Sequence, residues 1–147
     1  MAEPDHWAGY RTATYEVFAS EGTFLLELGK PNPALEALLD LHNADHAAFI
    51  TASNPGARKL TDEENRIRAA ELHRECTMRR YHLLPGRGGA PDWGWEESLL
   101  VLGITEADAL MLGQQFGQDA VLVTDNRRHI QLRDCAKPNS FKQGYPK

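Results

Sequence analysis

The sequence predicts an α/β domain with an α+β tendency: one mixed β-sheet of about five to six strands flanked by helices. Three observations point to it. Short β-type apolar runs alternate with helix signals along the 147 residues. Strong helix caps stand between those runs, which implies a sheet covered by helices and parallel crossovers early in the chain. Near the end, two strand-like runs are separated only by a tight turn, which implies antiparallel edges. A chain of this length forms one domain over residues 1–147 and buries about two-thirds of its unfolded surface. Irregular tails are expected over 1–8 and 136–147.

Taken in order, Gly9 to Ala19 holds Tyr10, Tyr15, Val17 and Phe18 and reads as a short helix or turn. Thr23 to Leu28 is β-leaning and ends at Gly29-Lys30-Pro31, so it reads as the first strand. Asn32-Pro33 starts a helix with Asn as N-cap and Pro at the first helical position. Leu35, Leu38 and Leu39 then form its apolar stripe to about His42. Ala47 to Thr51 is a buried central strand, closed by the polar elbow Ser53-Asn54-Pro55-Gly56. Thr61-Asp62-Glu63-Glu64 fits a capping box and opens a long helix to about Tyr81. Tyr81 to Leu84 is a third strand. Pro85 to Pro91, with three glycines and Arg87, reads as irregular because Gly and Pro both break regular structure. Ser98 to Gly103 is a buried strand, and Thr105 caps a helix that ends at Gly117. Ala120 to Thr124 is a strand, Asp125-Asn126 a turn, and His129 to Leu132 its hairpin partner.

Composition narrows the function. A net charge of −5 argues against a generic nucleic-acid coat, although six Lys/Arg against the single acid Asp134 follow Asn126. That basic tail is either a solvated surface or a phosphate contact. No apolar run approaches the roughly 20 residues that span a bilayer, and MAEPDHWAGY has no signal character, so a cytoplasmic protein without membrane contact is expected. Cys76 and Cys135 lie far apart outside any CxxC and read as reduced packing residues. No HExxH, GxSxG, GxGxxG or Gly-Lys-Ser/Thr pattern is present, so neither a metal nor a cofactor is expected.

Several of these segments together resemble a family of short bacterial proteins, domain-of-unknown-function family 3293. The resemblance runs roughly from Tyr10 to Val123. It rests on Asn32-Pro33, on Ile50-Thr51-Ala52-Ser53-Asn54-Pro55 with Asn65 eleven residues beyond Asn54, on Trp95-Glu96-Glu97-Ser98 before a strand, and on Phe116-Gly117-Gln118-Asp119-Ala120-Val121. It implies a compact α/β domain and carries no activity across.

The candidate site residues gather at strand and helix ends, where α/β proteins place ligands. Asn54, pushed by Pro55 toward an extended backbone, either reads a base, amide or ribose hydroxyl or closes an Asx-turn. Asn65, a mediocre helix former in a first helical turn, either bonds the Asn54 loop or touches a ligand. Glu96 and Glu97 must face opposite ways if the strand begins by Trp95; the inward one is a candidate general acid or base. Gln118 either holds its loop or faces the same cleft. Trp93 and Trp95 either stack on a ligand or anchor the loop. Arg58 and Lys59 either meet a phosphate or stay in solvent.

Two functions follow. The first is a small enzyme or binder whose cleft, lined by Asn54, Asn65, Arg68, Glu96 and Gln118, takes a nucleotide-like or phosphorylated ligand. The second is a non-catalytic module that grips protein or nucleic acid through Trp93, Trp95 and the basic tail. Convergence of those side chains on one pocket discriminates between them.

Overall fold

Alternating burial decides the start of the chain. In the computed structural model, which describes residues 7–135, only Trp7–Thr12 is helical (α1) and Thr14–Ala19 is a strand (β1). Val17 is fully buried and Tyr15 and Ala19 pack beside it, while Phe18 points outward. That period of two overrides the helix or turn expected over Gly9 to Ala19. β2 (Gly22–Leu25) is shorter than expected, and Leu28 instead forms an isolated parallel bridge with Ile130.

α2 (Pro33–Leu41) starts as its cap dictates: Asn32 Oδ1 accepts from the Leu35 N–H at 3.1 Å, and its amide donates to Leu25 O at 2.8 Å. β3 (Ala47–Thr51) leads through a single 3₁₀ turn (Pro55–Ala57) to α3 (Asp62–Met78), which opens with the complete Thr61/Glu64 capping box. β4 (His82–Ala90) runs straight through the stretch expected to be irregular, and β5 (Gly94–Leu102) pairs along its whole length. α4 (Glu106–Gln115) is capped by Thr105, and β6 (Ala120–Thr124) and β7 (Ile130–Asp134) close the described chain as the expected hairpin.

The irregular reading of Pro85 to Ala90 fails for a steric reason. A Cβ on Gly86 would stand 2.4 Å from Glu16 O and 2.8 Å from a Phe49 ring carbon. Glycine is there so that β1 and an aromatic ring can approach the strand. Pro85 lies just beyond the β1 pairing, which ends at Val17↔Gly86, so β4 is one-sided where proline stands.

Among the described residues, seven strands form one curled half-barrel sheet in the order β2-β1-β4-β5-β3-β6-β7, with four helices. The strand count is slightly higher than expected. Every strand pair is antiparallel. The expected crossovers are split rather than adjacent. β3 and β4 run parallel with β5 inserted between them, and β5 and β6 run parallel with β3 between them, the split βαβ arrangement.

The two crossover helices cover one face of the sheet. Leu72 and Cys76 of α3 and Ala109, Leu110 and Leu112 of α4 pack there on Ile50, Val101 and Val123. On the other, concave face α2 seats Leu35 and Leu39 against Phe49, Leu100, Leu122 and Ile130. Cys76 and Cys135 are separate buried thiols, pushed by burial up to about 11 and about 12. Among the described residues no helix is long and apolar enough to cross a membrane.

Candidate functional site

The elbow after β3 is held from four directions. Asn54 adopts a left-handed backbone (φ 49, ψ 60) rather than the extended one expected before proline. Its hydrogen bonds over-determine that geometry. Its N–H donates to Asn65 Oδ1 at 2.9 Å, and Asn65 Nδ2 donates back to Asn54 Oδ1 at 2.9 Å. Asn54 Oδ1 also accepts from the Leu60 N–H at 2.9 Å, which leaves Nδ2 to reach Glu96 Oε2 at 2.8 Å. Asparagine is one of the few side chains that tolerates positive φ at modest cost.

Behind the elbow, Arg68 donates Nε to Ala52 O at 2.6 Å and Nη2 to Phe116 O. Gln118 donates to Ser53 O at 3.0 Å, and the Gly56 N–H donates to Gly117 O at 2.8 Å. The start of α3 and the end of α4 therefore pin the loop that presents Asn54.

Glu96 is the point of convergence. Its Oε2 accepts from the Asn54 amide and from Trp93 Nε1, each at 2.8 Å. Trp93 sits in the tight β4–β5 turn, where its N–H donates to Ala90 O at 3.1 Å. Lys59 donates to Trp93 O and lies 4.4 Å from the centre of the indole ring. Glu96 thus has a fixed orientation set by two uncharged donors.

This carboxylate lines a cavity of about 370 Å³ at the mouth of the concave face. Its aromatic walls are Tyr10 of α1, Tyr15 of β1, Phe49 of β3 and Trp93. Tyr15 meets Phe49 edge to face, with centroids 5.9 Å apart and planes at 79°. A Cβ on Gly88 would come within 3.0 Å of the Tyr15 ring, so the glycine of β4 is what lets that ring approach the strand. Burial first, then nearby carboxylates, raises both phenols: Asp119 and Glu96 act on Tyr10, and Glu96 acts on Tyr15. Both remain protonated at neutral pH.

The cavity's hydroxyl protons are already engaged where the bonds are resolved. Tyr15 donates to Tyr10 O at 2.5 Å, Thr51 to Glu97 O at 2.7 Å and Ser98 to Glu96 O at 3.0 Å. These hydroxyls position backbone and none is turned toward the Glu96 carboxylate.

Of the residues singled out from sequence, Asn54, Glu96 and Gln118 line the cavity, as does Trp93. Asn65 and Arg68 do not; they support the elbow from behind. Glu97 and Trp95 lie on the opposite face of β5, because a strand already running at Gly94 turns every second side chain away. Glu97 is exposed, so the structure separates it from the cavity. Trp95 stacks on the Arg87 guanidinium at 3.9 Å, and Arg87 pairs with Glu16 at 2.7 Å. Arg87 belongs to a strand rather than to an irregular stretch, and Arg58 is exposed.

Tyr10, Tyr15, Phe49, Thr51 and Ser98 are cavity residues that the sequence reading did not assign. The Tyr15/Val17/Ala19 alternation was the available signal for the first wall.

Fold and site together define an α+β half-barrel domain with a polar-and-aromatic cavity at its concave mouth. Residues 50–121 match the model of the family described as "Protein of unknown function (DUF3293)", and over that segment the chain is similar to this family. The matched segment holds the elbow, α3, Trp93, Glu96 and Gln118, so the family pattern covers most of the polar site. No curated protein and no solved structure matches the chain.

Proposed function

We propose that this domain binds a small organic ligand in the half-barrel cavity, anchored by a hydrogen bond to Glu96. One observation carries the reading. Glu96 Oε2 is taken by two donors, whereas Oε1 accepts no hydrogen bond among the described residues, on a carboxylate that lines a 370 Å³ space. A fixed acceptor within aromatic walls is the ordinary make-up of a small-molecule site.

Of a nucleotide-like ligand, the base end suits this cavity, with rings to stack on and an acceptor for a ring or amino N–H. The phosphate end does not, because among the described residues no Lys, Arg or His lines the cavity. The engaged hydroxyls favour binding over nucleophilic catalysis. Where a reaction occurs, Glu96 is the group placed to move a proton. The cytoplasm is the compartment this reading assumes, consistent with two separate thiols.

The test is native mass spectrometry of protein purified from cells. A ligand should accompany the wild type and Glu97→Gln and be lost from Glu96→Gln. Retention by Glu96→Gln, or release by Glu97→Gln, would sink the reading. A docking module remains the second reading, supported by the exposed Trp95–Arg87 stack on the other face. Its basic-tail component from residue 136 onward lies outside the described residues. Trp95→Ala would disrupt partner binding on that reading and leave the cavity ligand in place.

A further inference from the structure

We infer that the cavity selects an organic cation: a protonated amine carried on a flat apolar body. The inference rests on the reading of the cavity as a ligand site and names the class of ligand.

The first argument is charge. Glu96 and Asp92 both line the cavity, and among the described residues no cationic side chain does. The two groups bonded to Glu96, an amide and an indole, orient the carboxylate without neutralising it. Two cations that act at the elbow and its neighbouring turn are committed elsewhere. Arg68 is spent on the carbonyls of Ala52 and Phe116, and Lys59 on the Trp93 carbonyl and ring. Neither is a lining residue. An ionised carboxylate partly withdrawn from water without a counter-charge is costly, and a cationic ligand removes that cost where a neutral donor does not.

The second argument is the walls. Tyr10, Tyr15, Phe49 and Trp93 surround the space, and aromatic faces attract a cation through the ring quadrupole, most strongly where water is excluded. A bare metal ion fits less well. Among the described residues there is no group of three or more side chains able to hold one, and aromatic walls offer it no ligands. Aromatic rings with an uncompensated carboxylate are instead the complement of an alkylammonium group joined to an apolar or aromatic body.

The test compares benzylamine, phenethylamine and tryptamine, each beside the alcohol that replaces its amine, by calorimetry at neutral pH. The Trp93 indole N–H resonance serves as the reporter of cavity occupancy. At least one amine should bind about tenfold or more tightly than its alcohol while moving that resonance. The preference should disappear in Glu96→Gln. It should shrink in Asp92→Asn, which leaves the Asn54 and Trp93 bonds intact and guards against a folding defect in the first variant. Equal affinities with the Trp93 signal moving would overturn the cation class and leave the cavity reading standing. No shift with any amine would overturn the class as well, and the copurification result then decides the cavity reading separately.

Discussion

A single asparagine at positive φ carries the elbow, and its amide does two jobs at once. One edge closes the loop through Asn65 and Leu60, and the other orients Glu96. Asn54→Ala and Asn65→Ala should therefore be coupled. Each single change removes the bond from Asn65 Nδ2 to Asn54 Oδ1, so the double variant should lose less stability than the sum, with an interaction of about 0.5–1.5 kcal/mol. Asn54→Ala alone should also carry roughly 1–2 kcal/mol of left-handed backbone cost. Urea midpoints with unchanged slopes measure both, and strict additivity would refute the pairing. At this scale the sequence was informative where a rule of parity or spacing applied. The place of Asn65 in a first helical turn offered a bond to the Asn54 loop as one of two readings, and strand alternation required Glu96 and Glu97 to face opposite ways without saying which faces inward. It was uninformative where long-range geometry decides. Nothing near Arg68 shows that its guanidinium will be used on the carbonyls of Ala52 and Phe116, and Tyr10 and Tyr15 meet only because a helix gives way to a strand between them.

The first turn of α3 is the element on which the site leans, since the same helix supplies Asn65 and Arg68. Its capping box is complete: Thr61 Oγ1 accepts from the Glu64 N–H at 3.1 Å, and Glu64 Oε1 accepts from the Thr61 N–H at 2.9 Å. The Thr61 N–H and then the Thr61 hydroxyl, both donating to that carboxylate, hold Glu64 below its usual range. Thr61→Ala should lower stability by about 1 kcal/mol. Fraying of that turn should also loosen the Asn54 N–H, giving faster hydrogen exchange at that amide than at the β3 amides. A melting temperature within error of wild type would place the functional start of the helix elsewhere. Such caps were legible because they depend on neighbours three residues apart. β4 was not, because its glycines and proline answer to Phe49, Tyr15 and the end of β1, which are distant in sequence. Local propensity registers only the backbone cost of Gly and Pro and misses the ring that occupies the vacated space.

For the molecule as a whole, alternating helices and strands identified the layers but left the pairing open, since a split crossover and an adjacent one have the same element order. The result is one sheet with a core on each face. Ile50 belongs to the core under α3 and α4, and Ile130 to the concave core under α2; both are almost fully buried. The curl brings the two ends of the sheet together, as the Gly29 N–H donates to Ile130 O at 2.7 Å and Leu28 bridges the same residue. Because every strand contributes to this shared sheet, the two cores should fail together even though their side chains do not touch across it. Ile50→Val and Ile130→Val should each cost about 0.5–1.5 kcal/mol, and the pair should add to within about 0.5 kcal/mol. Unfolding should remain a single transition, with far-ultraviolet circular dichroism and tryptophan fluorescence coincident. Ile130→Val, on the concave side, should be the one that also weakens amine binding at the mouth. Two resolved transitions, or a coupling well above additivity, would mean that the half-barrel is not the cooperative unit holding Glu96 in place.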